Sequence, residues 1–253
     1  MRPLLLAVGT DPPSSSRIDA ARVTRSSLPA AARSALEAGC LRIGILGSDA
    51  DAAVVGAEAQ RLGTQVEIAI GPDGDLARVF GLGPGSSVAD RLVHGTRYPI
   101  DLGIVEGAWG MSVFLNDVGF GVASTRPGRL RWFAAGRGRA VVTGRRRVEK
   151  YRASGVLVTN GQFWHGLAVS PKASLVDERL EYQVIAVPRR RAATALAAMR
   201  LGLHGSSHGL QRGRADVIEV QVAPEWAVAA DRCRIGRGSA TVRAVPGVVS
   251  LLI

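Results

Sequence analysis

The residue types that could do chemistry are concentrated in two short turns of this chain. Both turns are acidic, and both contain glycine. The first is Gly47-Ser48-Asp49-Ala50-Asp51, and the second is Gly71-Pro72-Asp73-Gly74-Asp75. Glycine lets a backbone approach a phosphate closely, and the free N–H groups at a helix start bind anions. Carboxylates beside such a turn can hold a metal ion or accept a hydroxyl proton. These are the parts of a nucleotide site.

The surrounding pattern predicts that both turns lie at the ends of neighbouring parallel strands. Apolar runs at 41–46 and 66–70 each precede a turn. Helical spacing follows the first turn up to Gly63, and a short helix over 75–80 follows the second. Ligands of α/β domains bind where the carboxyl ends of such strands meet.

Each turn also has a purely structural interpretation. Asp49 or Asp51 would cap the next helix, and Gly47 would end a strand. The second turn reads equally well as an ordinary Pro-Asp-Gly turn, in which Pro72 removes an N–H that a phosphate would use. Spacing alone leaves both interpretations open.

The hydrophobic pattern divides the chain into two domains. Residues 1–98 predict an α/β, doubly wound nucleotide-binding-type domain that begins with a strand at Leu4–Val8 and a loop or frayed helix through 10–27. Residues 99–253 predict a mostly antiparallel, β-sandwich-like domain of short runs, with 111–118 as one strand and one helix between Pro188 and Gly205. The last residues of the chain can also pack back on the first domain.

Composition indicates a globular cytoplasmic protein. The chain has 253 residues, of which 47% are apolar, and its N-terminal apolar run is too short for a signal peptide or a membrane span. Cys40 and Cys233 do not form a disulfide or zinc pattern. The net charge of +11 comes from 32 basic residues of which only Lys150 and Lys172 are lysine, a bias typical of GC-rich coding.

Basic residues are concentrated between Arg126 and Lys150, with Trp132 and Phe133 among them. Such a stretch can lie on an anionic membrane surface, or it can be a solvated loop. No nucleic-acid recognition motif accompanies the charge, so nucleic acid is not expected as a partner. His204 and His208 are four residues apart, but no third ligand is evident, and we predict no protein-held metal site.

Several segments, read in order, resemble the diacylglycerol kinase catalytic family, which includes bacterial lipid kinases and sphingosine kinases. The first turn lies where that family has Gly-Gly-Asp-Gly-Thr, and the second where it has Gly-Thr-Gly-Asn-Asp-Phe-Ala-Arg. Segment 114–121, Phe-Leu-Asn-Asp-Val-Gly-Phe-Gly, is similar to the family's Phe-Leu-Asn-x-x-Gly-x-Gly strand. Further ordered matches are Ile100 to Gly103, Val158 to Gly161, Ser170 to Ala173, Asp177 to Leu180 and Gly202 to His204.

The resemblance implies that ATP and Mg²⁺ lie in a cleft and that a lipid hydroxyl accepts the phosphoryl group. It makes Asp49 the catalytic or metal-organising carboxylate, with Asp231 contributing from the second domain. The residues implied to line the nucleotide are Gly47, Ser48, Gly71, Gly74 and Asp75.

The chain also departs from the family at its motifs. Ser48 and Ala50 replace glycines, and Asp51 replaces a threonine, which adds negative charge where a triphosphate would lie. In the second turn Pro72 replaces Thr, and Asp73-Gly74 replaces Gly-Asn. Late in the chain, Asp231-Arg232-Cys233 stands where the family has Asp-Gly-Glu.

These departures leave two hypotheses about function. At about 1 kcal/mol for each altered charge, several together weaken ATP binding by orders of magnitude. The chain is then either a lipid kinase with reduced or lost activity, or a pseudokinase that binds a lipid or protein partner. A homodimer stays open in both cases.

Overall fold

The structure, a computed structural model, describes residues 2–12, 17–126, 137–144, 147–188, 191, 194–195, 197–198 and 210–253. It divides into two compact units, one of Met1–Leu102 with Val245–Ile253 and one of Gly103–Ala244. The sequence pattern placed this boundary between residues 98 and 99. The chain enters the second unit within strand β5 (Arg97–Gly107) and returns within strand β18 (Ala240–Leu252).

The described residues form a mixed α/β fold that consists mostly of strands. The helices are α1 Leu28–Glu37, α2 Asp49–Leu62, α3 Asp75–Val79 and α4 Val88–His94. The remaining strands are β1 Leu4–Val8, β2 Asp19–Val23, β3 Arg42–Leu46, β4 Val66–Ile70, β6 Gly110–Phe114, β7 Asp117–Gly121, β8 Gly138–Gly144, β9 Arg147–Ala153, β10 Gly155–Thr159, β11 Phe163–Trp164, β12 Leu167–Ala168, β13 Leu180–Ile185, β14 Leu210–Ala215, β15 Val217–Gln221, β16 Ala227–Ala230 and β17 Cys233–Arg237.

The first unit is a parallel sheet in the order β2-β1-β3-β4, followed by the end of β18. Helices cover both of its faces. Gly56 of α2 lies against Val249, whereas Leu252 packs with Val88 and Leu92 of α4. Val249 and Leu252 are three residues apart on β18 and therefore face opposite sides of the sheet. The prediction of a doubly wound α/β domain is confirmed.

The second unit is a β-sandwich. One sheet has the antiparallel order β14-β13-β10-β7-β16-β17, and the other contains the antiparallel strands β18, β15, β8 and β9. Alternate residues of both sheets point into one core, which includes Phe120, Val158, Val184, Val142 and Val220. Such alternation is what two packed antiparallel sheets require, so the predicted sandwich-like domain is confirmed.

Several strands were missed or misjudged from sequence. The loop predicted through 10–27 is wrong for β2, and the predicted strand 111–118 is interrupted between β6 and β7. A loop interpretation of the Arg-rich stretch is wrong for β8 and the start of β9. β2 lies at the sheet edge and is largely exposed, so its sequence lacks the apolar run that reveals a buried strand.

Other expectations fall on residues that the structure does not describe. His204 and His208 lie outside the described residues, as does most of the helix predicted between Pro188 and Gly205. Among the helices that are described, none is long and apolar enough to cross a bilayer.

Gly119 tests the packing of the second unit. A Cβ at Gly119 would lie 2.0 Å from the backbone oxygen of Ala123, which cannot move aside as a side chain would. We expect Gly119→Ala to lower the free energy of unfolding by about 1–3 kcal/mol in urea denaturation. Gly85→Ala is the matched control, because a Cβ there meets nothing within 4 Å. Equal loss in both variants would contradict this packing.

Glu58 gives the first unit a predictable dependence on pH. Arg33 of α1 donates to Glu58 at 2.9 Å and Arg61 donates at 3.0 Å, which lowers the pKa of Glu58 despite its burial. A carboxylate with a lowered folded-state pKa stabilises the protein above its unfolded pKa of about 4.3, and that stability is lost as the pH falls.

We therefore expect Glu58→Gln to be less stable than the wild type at pH 7 and to lose less stability between pH 6 and pH 3. Urea unfolding across this range measures the effect. Glu37→Gln, on the exposed side of α1, serves as the control and should keep the wild-type slope. A wild-type slope for Glu58→Gln would overturn the assignment.

Candidate functional site

The first turn is organised by a reciprocal cap at the start of α2. Asp51 N donates to Ser48 Oγ at 3.3 Å, and the Asp51 carboxylate accepts from Ser48 N at 2.8 Å and from Ser48 Oγ at 2.7 Å. Arg25 Nε donates to the same carboxylate at 3.1 Å. A Cβ on Gly47 would lie 2.8 Å from Asp51 Oδ2, so this packing requires glycine. Asp51 is thus a paired capping group.

The carboxylate of Asp49 joins the first turn to the second. Its Oδ2 accepts hydrogen bonds from Asp75 N at 2.8 Å and from Leu76 N at 3.2 Å. These are the first N–H groups of α3, which a bound phosphate would use. Gly74 lies directly against this carboxylate, since a Cβ there would be 1.9 Å from Asp49 Oδ1. The carboxylate of Asp49 is thus the anion that accepts hydrogen bonds from the first N–H groups of α3.

The other predicted residues of the first unit lie close to this contact. A Cβ on Gly71 would be 3.5 Å from the Gly47 carbonyl oxygen, so the two strand ends are neighbours. Asp75 is fully buried at the start of α3, and Arg78 Nε lies 4.0 Å from its carboxylate. The structure therefore brings together every site residue that the sequence placed in the first unit.

Arg91 of α4 supports the second strand end and was not singled out from sequence. Its Nη2 donates to the Ile70 carbonyl at 2.6 Å, and burial lowers its pKa. Its Nη1 is buried without a hydrogen-bond partner among the described residues. Only the fold reveals this role, because an arginine beside Leu92 on a short helix looks like a surface residue in the sequence.

Asp231 holds a turn of the second unit. Its carboxylate accepts from the backbone N–H of Leu115 at 2.7 Å, and from those of Asn116 and Asp117 at 3.0 Å each. Asp231 N donates in return to the Asp117 carbonyl at 2.8 Å. Three N–H donors fix this carboxylate between β6 and β7. The catalytic role predicted for Asp231 stays a prediction.

The residue after Asp231 has a backbone conformation suited to glycine. Arg232 has φ of 70° and Asp231 has φ of 42°, both in the left-handed region. Glycine adopts this region without the steric cost that a Cβ brings. The Asp-Gly-Glu pattern of the resembled family would therefore fit this backbone better than the Asp231-Arg232-Cys233 present here.

Two asparagines reinforce the turn that Asp231 holds. Asn116 Nδ2 donates to Asp117 Oδ2 at 3.0 Å and to the Phe163 carbonyl at 2.7 Å. Asn160 Nδ2 donates to the Leu115 carbonyl at 3.0 Å. Both lie in segments that carried the resemblance, and in this structure they hold backbone.

A cavity of about 400 Å³ lies in the second unit and was missed from sequence; Ser170, Glu181 and Arg212 are among the residues that line it. Ser170 accepts a hydrogen bond from Thr159 at 3.0 Å inside it, and Gln183 donates to the Val169 carbonyl. Burial raises the pKa of Glu181 and lowers that of Arg212 at its wall. Within the described ranges, no cluster of three or more His, Cys, Asp and Glu side chains could hold a metal ion.

Comparison with known proteins identifies the family. Residues 108–253, more than half of the chain, match the family described as the YegS C-terminal NAD kinase beta sandwich-like domain, and the chain belongs to this diacylglycerol kinase-like family. A comparison with curated proteins found no match.

Solved structures extend the likeness over the whole chain. Three solved structures from Bacillus anthracis str. Sterne, whose descriptions name a diacylglycerol kinase, superpose on this chain with TM-scores of 0.79, 0.78 and 0.78. Each covers 99% of this chain, and 96%, 97% and 96% of the other chains are covered in turn, at 14%, 15% and 14% identity. At such identity the likeness establishes the fold alone.

Asp49→Ala tests the contact between the two turns. The substitution leaves the N–H groups of Asp75 and Leu76 without their acceptor, so we expect the free energy of unfolding to fall by about 1–3 kcal/mol. Urea denaturation measures it. Asp73→Ala is the control, because Asp73 is exposed in the same turn, and it should change stability by less than about 0.5 kcal/mol. A harmless Asp49→Ala would argue against a structural role.

Proposed function

We propose that this chain is a lipid-binding member of the lipid kinase family in which phosphoryl transfer from MgATP is lost or strongly reduced. The observation that supports this most directly is the position of Asp49, whose carboxylate takes the N–H groups at the start of α3. An ATP phosphate would have to displace a buried carboxylate of the same charge.

Gly74 strengthens the argument. The resembled family has asparagine at this position, but here any Cβ would lie 1.9 Å from Asp49 Oδ1. Asp49 can take its place only because residue 74 has no side chain. Its contacts therefore cannot be those of the corresponding aspartate in a family member that has asparagine there.

The remaining donors fit a triphosphate no better. Ser48 N is taken by the carboxylate of Asp51, and the cation beside the first turn, Arg25, is already paired with Asp51. Cys233 stands in place of the family's glutamate and lacks its carboxylate. These turns therefore do not fit MgATP. A lipid ligand, diacylglycerol-like in chemistry, is proposed from family membership and the sandwich fold.

Calorimetry with MgATP tests the loss of nucleotide binding. We expect no Mg-dependent heat at about 1 mM ATP, because two carboxylates occupy the anion positions. Gly74→Asn would restore the family residue and push Asp49 aside, so it serves as the comparison. Tight, Mg-dependent binding by the wild type would sink the proposal, while saturable binding of diacylglycerol in detergent micelles tests its lipid half separately.

A second candidate function is an active lipid kinase. The observation that favours it is that the two strand ends are neighbours. A Cβ on Gly71 would be 3.5 Å from Gly47 O, and the carboxylates of Asp49, Asp51 and Asp75 are buried there. An assay with MgATP and diacylglycerol separates the candidates. Phosphate transfer by the wild type above that of Asp49→Ala supports the kinase, and equal rates remove it.

A further inference from the structure

Strands β15, β8 and β9, with the part of β18 that lies in the second unit, present one face to the sandwich core and the other away from it. Ala140, Val142, Ile218 and Val242 point inward. The alternate residues point outward, and we call the outward side of these four strands the outer face. Four cations lie on it, namely Arg139, Lys150, Arg152 and Arg243, against a single carboxylate, Glu219.

The cations of the outer face lack carboxylate partners. Within the described part of the chain, none of the four forms an ion pair. Arginines of the first unit behave differently. Arg22, Arg33 and Arg42 pair with Asp11, Glu58 and Glu67 at 2.9, 2.9 and 2.7 Å. The outer face, as far as it is described, therefore has an excess of three positive charges, four cations against one carboxylate.

Two of these cations stand directly opposite each other. Arg139 of β8 and Arg152 of β9 are cross-strand partners. Like charges in this arrangement destabilise a sheet, and an external anion would relieve their repulsion. A shallow depression of about 500 Å³ lies beside Arg139, and it is also lined by Val141, Gln221, Val222, Ala223 and Ser239. It offers room for a phosphate-bearing headgroup.

The uncharged residues of the outer face distinguish among anionic partners. Val148 and Val217 are 63% and 42% exposed and lie among the cations. Exposed valines suit the boundary between headgroups and acyl chains. No aromatic side chain that could stack on a base points outward from these four strands in the described ranges.

We propose that the outer face docks the protein on an anionic phospholipid bilayer, with Arg139 and Arg152 as its central headgroup contacts. This docking goes beyond the proposed function, because it requires neither nucleotide binding nor catalysis. It also places the membrane contact on β-strands. Of the four cations on the outer face, only Arg139 and Lys150 belong to the basic stretch between Arg126 and Lys150.

Co-sedimentation with vesicles tests the proposal. We expect the full chain to bind phosphatidylcholine vesicles containing about 30% phosphatidylglycerol, to bind pure phosphatidylcholine far more weakly, and to dissociate as salt rises. The double variant Arg139→Gln/Arg152→Gln should lower the partition coefficient by about 30-fold, because each basic residue removed weakens binding roughly fivefold. Arg234→Gln/Arg237→Gln on β17 makes the same charge change in the other sheet and should lower it less than about threefold.

Thermal unfolding separates lost binding from lost folding. Because the Arg139 and Arg152 charges repel, their replacement should leave Tm unchanged or raise it. Wild-type binding by Arg139→Gln/Arg152→Gln, an equal loss in the β17 control, or equal binding to neutral vesicles would each overturn the proposal. So would tighter binding to duplex DNA than to the anionic vesicles, which would make the face a nucleic-acid surface.

Discussion

The carboxylate of Asp49 is held by the first two N–H groups of α3, and the geometry of both turns in the first unit depends on that contact. It links the end of β3 to the end of β4. It also requires glycine at residue 74, because any Cβ there would collide with the carboxylate. One side chain of the protein thus supplies the anion at the start of α3.

The second unit uses a carboxylate in the same way. Asp231 gathers three backbone N–H groups of the turn between β6 and β7. In both units an aspartate from a family motif satisfies buried backbone donors that would be costly to leave unpaired. Such a role stabilises the fold whether or not the chain transfers a phosphoryl group, so family membership is compatible with altered motifs.

Charge is distributed unevenly between the units. Arginines of the first unit mostly face carboxylates, whereas those on the outer face of the second do not. A GC-rich coding bias would make the chain rich in arginine, but it would not by itself place Arg139, Lys150, Arg152 and Arg243 on one sheet face. Clustering is a property of the sheet register, which sets Arg139 opposite Arg152.

The sequence by itself determined the α/β order of the first unit, the two turns and their place at strand ends, since hydrophobic period, caps and glycines are local signals. It also indicated the sandwich. Tertiary structure decided that β2, β8 and β9 are strands, because largely exposed or charged segments become strands only by pairing with a neighbour. It likewise decided that Asp49 binds the backbone of Asp75, a contact between residues far apart in the chain that no local pattern encodes.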